Sequence, residues 1–153
     1  MLRRHDAAVI LQAALLMLVV GCASNSIEKP SEAEQRLRKL HELYESAEAK
    51  LGRPPKSQEE LLRTIPNVSE EIFVSPNDQQ AFVVVWGTSC TPMGYEVMAG
   101  SKPPTANDPA PILAYERSAS NGKRAVVYLF GETKQLDEKN FRSAWFPPGH
   151  TPE

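Results

Sequence analysis

The sequence has few of the residues that most often carry out chemistry. It holds three histidines and two cysteines among 153 residues. It has no clustered Cys/His spacing of a zinc site and no Asp-x-Asp-x-Asp-Gly calcium loop. A glycine-rich phosphate loop and a Gly-x-Ser-x-Gly turn are also missing. We therefore predict no catalytic residue set, no metal site and no cofactor, and we expect that the protein is not an enzyme.

A strong excess of charge of one sign is missing as well. The chain has 17 basic and 19 acidic residues, for a formal net charge of −2. Without the two arginines and the one aspartate of residues 1–21, 15 basic and 18 acidic residues remain. This balance argues against a nucleic-acid partner, which would require a basic face. A hydrophobic content of 41% is typical of a globular domain, and 13 prolines favour short elements and frequent turns.

The first 21 residues have the pattern of a signal peptide. Arg3 and Arg4 precede an uncharged, almost wholly apolar run at residues 7–20. As a helix, these 14 residues would reach about 21 Å at 1.5 Å per residue. A membrane core is about 30 Å thick, so the run is short for a permanent span and suits the hydrophobic region of a signal peptide.

The end of this run and the two residues after it, Val19-Val20-Gly21-Cys22, resemble the lipobox of bacterial lipoproteins. The resemblance implies cleavage after Gly21, a diacylglycerol on the Cys22 thiol and a third acyl chain on the new amino terminus. The membrane would then be a partner through lipid on Cys22, and the cell envelope the location. Ala23 replaces the aspartate that retains lipoproteins in the inner membrane of enteric bacteria, which favours the outer membrane. The alternatives are an incidental cysteine after an ordinary leader, or an uncleaved anchor.

Lipid on Cys22 would leave Cys90 without a partner in the chain, as a candidate free thiol. Free cysteines are most often buried and inert, which we favour here, although residues 87–92 (GTSCTP) have a loop composition that would expose the thiol. A thiol enzyme would need a base such as His41 within hydrogen-bond reach of Cys90. A disulfide between Cys22 and Cys90 would exclude lipidation.

Hydrophobic periodicity predicts an α+β fold, with a long N-terminal helix and a short second helix packed on a small antiparallel sheet of three to five strands. Residues 31–51 have one apolar stripe and begin with a Ser-x-x-Glu capping box, and a second such box begins at Ser57. The strands are predicted at residues 81–86, 95–99, 112–116, 124–130 and 134–136. Residues 100–111 form a proline-rich loop, and Asn121-Gly122 indicates a hairpin whose turn is longer than two residues.

Asp137 is predicted to cap a last short helix that carries Phe141. Trp145 and Phe146 either cover one end of the sheet or form an exposed contact patch. These predictions divide the chain into a signal peptide (1–21), a lipidated tether (22–30), an α+β domain (31–146) and a flexible tail (147–153).

Part of this pattern resembles the soluble domain of type II secretion pseudopilins. Residues 40–44 (LHELY) lead to 51–57 (LGRPPKS) and 59–62 (EELL), and residues 126–133 (VVYLFGET) resemble a late strand, turn and strand of pilin-like domains. The similarity covers residues 37–136 and implies a helix followed by a small antiparallel sheet. The prepilin cleavage site, the long apolar stem and the calcium-binding aspartates of that family are not matched.

Three functions are compatible with the sequence. The leading hypothesis is a non-enzymatic, membrane-anchored envelope lipoprotein that presents a pilin-like domain to other envelope proteins. The second is an accessory subunit of a type II secretion or pilus-like apparatus. The third is a thiol-dependent enzyme or redox sensor that uses Cys90.

Overall fold

The computed structural model describes residues 29–91 and 110–152. The predicted signal peptide, Cys22, most of the tether, the strand at 95–99 and most of the loop at 100–111 lie outside the described residues. The helices within these ranges are α1 (Glu32–Leu51), α2 (Gln58–Thr64), a 3-10 helix (Glu70–Phe73) and α3 (Glu138–Arg142). The strands are β1 (Val83–Val84), β2 (Ile112–Tyr115), β3 (Lys123–Tyr128) and β4 (Thr133–Asp137).

Helix α1 forms as its sequence predicts. The Ser31 side chain accepts a hydrogen bond from the Glu34 amide, and the Glu34 side chain accepts one from the Ser31 amide, which completes the capping box. Gly52 ends the helix in the left-handed conformation at φ 69°. The apolar stripe is fully buried, and its residues are Ala33, Leu37, Leu40, Tyr44 and Ala47.

Helix α2 has only half of its predicted capping box. The Ser57 hydroxyl accepts a hydrogen bond from the Glu60 amide at 3.3 Å. The Glu60 carboxylate does not return to Ser57 but accepts hydrogen bonds from Arg53 and from the Lys56 amide. The Arg53 guanidinium is a stronger partner for the Glu60 carboxylate than the Ser57 amide, because its hydrogen bonds are charge-assisted. This ion pair and the hydrogen bond from the Lys56 amide hold the pKa of Glu60 down to about 2.

The apolar segment at residues 81–86 forms a shorter strand than we predicted. Only Val83–Val84 pair with β2, although Val85 continues with a hydrogen bond from its amide to the Leu113 carbonyl. The Phe82 amide instead donates to the Phe73 carbonyl at 2.7 Å, next to an isolated bridge between Val74 and Ala81. The segment is therefore divided between two partners, which limits regular pairing with the sheet.

The turn at Asn121-Gly122 is tighter than we predicted. Both residues have positive φ, at 52° and 76°, and the two flanking residues, Ser120 and Lys123, exchange backbone hydrogen bonds of 2.8 and 3.0 Å. This is the two-residue hairpin turn in which both central residues have positive φ, and Asn-Gly is its preferred sequence. The hairpin fixes where β3 begins.

The strands form one antiparallel sheet in the order β1-β2-β3-β4, and the predicted α+β fold is confirmed. One face packs under α1 through alternating strand residues, including Leu113, Ala125 and Val127. The other face carries Ile112, Tyr115, Val126 and Tyr128 against Phe141 of α3. A central sheet covered on both faces explains why β2 is buried along its whole length.

The segment after α3 contacts the sheet, in contrast to the flexible tail that we expected at residues 147–153. Trp145 packs partly buried against the core under α1, and Phe146 packs on the opposite face. Pro147 is buried, and the His150 Nε2 lies 3.2 Å from the Tyr115 hydroxyl. The aromatic residues of the second sheet face require cover from water, and this segment provides it.

Candidate functional site

The described residues begin seven positions after the predicted lipidation site. Gly21 and Cys22 lie outside them, so their predicted roles stay predictions. Lys29 and Pro30 lead directly into Ser31, the N-cap of α1. Any anchor at Cys22 would therefore hold the domain by the N-terminal end of α1.

Cys90 is a buried free thiol, with only 2% of its surface exposed. Its amide donates a hydrogen bond to the Glu48 carboxylate at 2.9 Å. Burial raises the pKa of the thiol, and the carboxylates of Glu48 and Glu45 raise it further. The thiolate is the reactive form of cysteine, so this environment suppresses nucleophilic chemistry at neutral pH.

The loop around Cys90 is held against α1 by polar contacts as well as by packing. The Tyr44 hydroxyl donates to the Thr88 carbonyl at 2.9 Å and accepts from the Thr88 amide at 3.2 Å. The Ser89 hydroxyl donates to Glu48 at 2.5 Å. The Tyr44 ring stacks on Trp86 with centroids 5.8 Å apart. These contacts satisfy the buried backbone groups of the loop, which is typical of a structural role.

His41 has a separate set of contacts. Its Nε2 lies 2.8 Å from the Leu129 carbonyl oxygen, and its Nδ1 lies 3.8 Å from the Glu45 carboxylate. His41 and Glu48, the partner of the Cys90 amide, are seven residues apart on α1, which corresponds to about 10 Å along the axis. The structure therefore does not bring Cys90 and His41 together as a nucleophile and base.

A buried carboxylate, which we did not predict, lies at the end of β2. Glu116 is 2% exposed. One of its oxygens accepts from the Ser75 hydroxyl at 2.6 Å and from the Asn77 side chain at 2.7 Å, and the other accepts from the Ala125 amide at 2.8 Å. The only signal in the sequence was a glutamate directly after an apolar run. This cluster joins the loop before β1 to the β2–β3 hairpin.

A cleft lies between α1 and the segment that follows α2. It has a volume of about 370 Å³. The Arg36 guanidinium bridges the cleft by donating to the carbonyls of Glu71 and Val74 at 3.3 and 3.0 Å. The lining residues are Arg36, Lys39, Leu43, Asn67, Val68, Ser69, Glu71 and Ile72. Nothing in this lining forms a nucleophile and base pair.

Within residues 29–91 and 110–152, no group of three or more His, Cys, Asp or Glu side chains could hold a metal ion. No helix in the described part of the chain is both long and apolar enough to cross a membrane. The chain matches no protein-family model, and searches of the curated proteins and of the solved structures find no match either.

Proposed function

We propose that this protein is a lipoprotein of the bacterial cell envelope, anchored by lipid on Cys22, whose α+β domain makes contacts with other envelope proteins. The outer membrane is the favoured location. The observation that carries the proposal is the order of the first 22 residues. A basic pair, a 14-residue apolar run and a lipobox-like Gly21-Cys22 occur in the sequence and at the spacing that lipoprotein processing requires.

The position of the folded domain supports this anchor. Eight residues, 23–30, separate Cys22 from the N-cap of α1. A fully extended segment of this length spans at most about 28 Å. The domain would therefore stay close to the membrane, and two or more acyl chains would suffice to hold it there.

A non-enzymatic role is supported by the surroundings of the candidate catalytic residues. Cys90 is buried and its pKa is raised, while His41 is in contact with Leu129 and Glu45. Both side chains contribute to the packing of α1 against its neighbours. The burial of Cys90 counts against thiol chemistry, and a lack of reaction with an alkylating reagent in the folded protein would exclude that hypothesis.

A second candidate function is an accessory subunit of a type II secretion or pilus-like apparatus. The passage at residues 51–57, which resembles pseudopilins, favours this function. In the structure it connects α1 to α2, and its Arg53 forms an ion pair with Glu60 of α2. Among the described strands, β4 pairs only with β3, which leaves an edge for a partner strand. Co-purification with filament components would support this function, and isolation as a monomer without them would count against it.

The decisive experiment is the intact mass, without reduction, of the protein extracted from membranes of its native host. We expect the mass of residues 22–153 plus a diacylglycerol and a third acyl chain. The mass of the full chain would indicate an uncleaved anchor, and cleavage without lipid would contradict the proposal. A Cys22→Ser variant is the matched control, because it should lose the lipid, whereas Cys90→Ser should keep it.

A further inference from the structure

A small polar cleft lies beside the first turns of α1, where the chain enters the domain. Its volume is about 250 Å³. The start of β3 and the first half of β4 form its wall opposite α1. The lining residues are Lys29, Glu34, Lys123, Thr133, Lys134 and Gln135. We refer to this feature as the entry cleft.

Three cations at the entry cleft have no carboxylate partner in the described part of the chain. Lys29 and Lys123 line the cleft and are exposed. Arg38 lies at its rim, where the guanidinium donates to the Thr133 hydroxyl at 3.1 Å. The fourth cation, Lys134, is 3.0 Å from Glu132 and lies over the Tyr128 ring, so we do not count it.

The carboxylates nearest to these cations are engaged elsewhere. The Glu34 carboxylate accepts hydrogen bonds from the amide and hydroxyl of Ser31 and from the Gln135 side chain. Asp137 faces Lys123 across the β3–β4 pair, and its two oxygens accept from the amide and side chain of Asn140 at 2.8 and 3.0 Å. The cleft is therefore a local cationic site on a domain whose net charge is negative.

The predicted anchor places this site next to the membrane. Lys29 is seven residues after Cys22, a separation of at most about 25 Å when the chain is extended. We infer that Lys29, Arg38 and Lys123 contact the phosphate groups of anionic phospholipids in the membrane that holds the anchor. The inference rests on the proposed lipid anchor and specifies how the domain is oriented on the membrane. Each basic residue near an anionic surface strengthens binding by about fivefold.

The test measures lysine reactivity on the lipidated protein. The protein is reconstituted on vesicles of phosphatidylcholine, or of phosphatidylcholine and phosphatidylglycerol in equal parts, and labelled with a neutral acetylating reagent. Peptide mass spectrometry then gives the rate at each lysine. We expect Lys29 and Lys123 to react about fivefold more slowly on the anionic vesicles. Lys50 and Lys56 are internal controls, because Lys50 lies in the last turn of α1, about 27 Å along the axis from its start, and Lys56 follows the end of the helix.

Variants separate direct contact from mere proximity. Neutralising Arg38 and Lys123 together as Arg38→Gln and Lys123→Gln should remove the protection of Lys29, whereas Lys50→Gln and Lys56→Gln should preserve it. Salt at about 1 M should also remove the protection of Lys29, because the Debye length then falls to about 3 Å. If Lys29 reacts equally fast on both kinds of vesicle while the protein floats with both, the inference is overturned but the proposed anchor is not. A protein that floats with neither would overturn the anchor and the inference together.

Discussion

Gly131 lies where the β3–β4 turn approaches α1, and no other residue type fits there without strain. Its φ is +86°, and a Cβ built on it would lie 3.1 Å from Cε1 of His41. The His41 ring in turn is held by the Leu129 carbonyl. The side chain missing at Gly131 is thus what allows the helix histidine to be buried under the turn.

We predict that Gly131→Ala lowers the free energy of unfolding by about 2 kcal/mol, because it combines the strain of a positive φ with a steric contact. Gly87→Ala is the matched control. Gly87 has a similar φ of +79°, but nothing lies within 4 Å of its built Cβ. Urea unfolding measures both, and an equal loss in the two variants would contradict the role that we assign to His41.

The Cys90 thiol should make stability fall at alkaline pH. Burial raises its pKa in the folded protein above the ordinary value of 9.0, so above pH 9 the folded state binds more protons than the unfolded state. The stabilisation is complete below pH 9 and is lost as pH rises further, by at most about 1.4 kcal/mol per pH unit for one group. Tyr44, whose pKa is also raised by burial, adds a loss of the same sign above pH 10.

Urea unfolding between pH 7 and pH 11 checks this prediction in the wild type and in Cys90→Ala. The variant should begin its decline about one pH unit later, where Tyr44 starts to titrate in the unfolded state. Only the pH dependence is compared, because the substitution also leaves a small cavity that lowers stability at every pH. Parallel pH profiles would show that the buried thiol does not titrate as expected.

At the scale of elements, α1 is the support to which the other parts attach. Its buried stripe packs on the sheet, and three of its side chains extend to loops and turns. Tyr44 bonds Thr88, Glu48 bonds Ser89 and Cys90, and His41 contacts Leu129. The periodicity of the sequence predicted the stripe, but it did not predict these polar contacts, since each joins residues 41 to 88 positions apart.

We predict that Tyr44→Phe lowers the free energy of unfolding by about 1–3 kcal/mol, because it leaves the buried Thr88 amide without an acceptor. Tyr128→Phe is the matched control. Tyr128 is also buried, at 7% exposure, but its hydroxyl makes no hydrogen bond to a described residue. The control should lose less than about 0.5 kcal/mol. Equal losses in urea unfolding would mean that packing alone holds the loop.

At the scale of the whole molecule, the sheet is covered on both faces by different parts of the chain. The long helix covers one face, and α3 with the segment after it covers the other. On this second face, the rings of Tyr115, Phe141, Phe146 and His150 form edge-on and tilted pairs with centroids 4.9 to 5.9 Å apart. Such pairs contribute beyond their burial of apolar area.

We predict that ending the chain after Phe146 lowers the free energy of unfolding by about 1–3 kcal/mol, through loss of the His150 ring contacts and its hydrogen bond to Tyr115. Removing residues 151–153 alone is the matched control, and it should leave stability unchanged. Thermal and urea unfolding of the two shortened chains measure the difference. Equal stability in both would support the flexible tail that the sequence suggested.

The sequence by itself determined the local features of the fold. The capping residues Ser31 and Asp137, the helix end at Gly52 and the Asn121-Gly122 turn all follow from chemistry between close neighbours in the chain. The α+β class followed from the change from helical to strand periodicity. Such signals are complete within a few residues, and a single sequence therefore displays them.

Only the tertiary structure decided which side chains meet across the chain. It separated Cys90 from His41, buried Glu116 among Ser75, Asn77 and the Ala125 amide, and divided the apolar segment 81–86 between two partners. These outcomes depend on the packing of α1 on the sheet and on strand register. The physical reason is that burial and long-range hydrogen bonds are properties of the assembled core, and no local pattern specifies them.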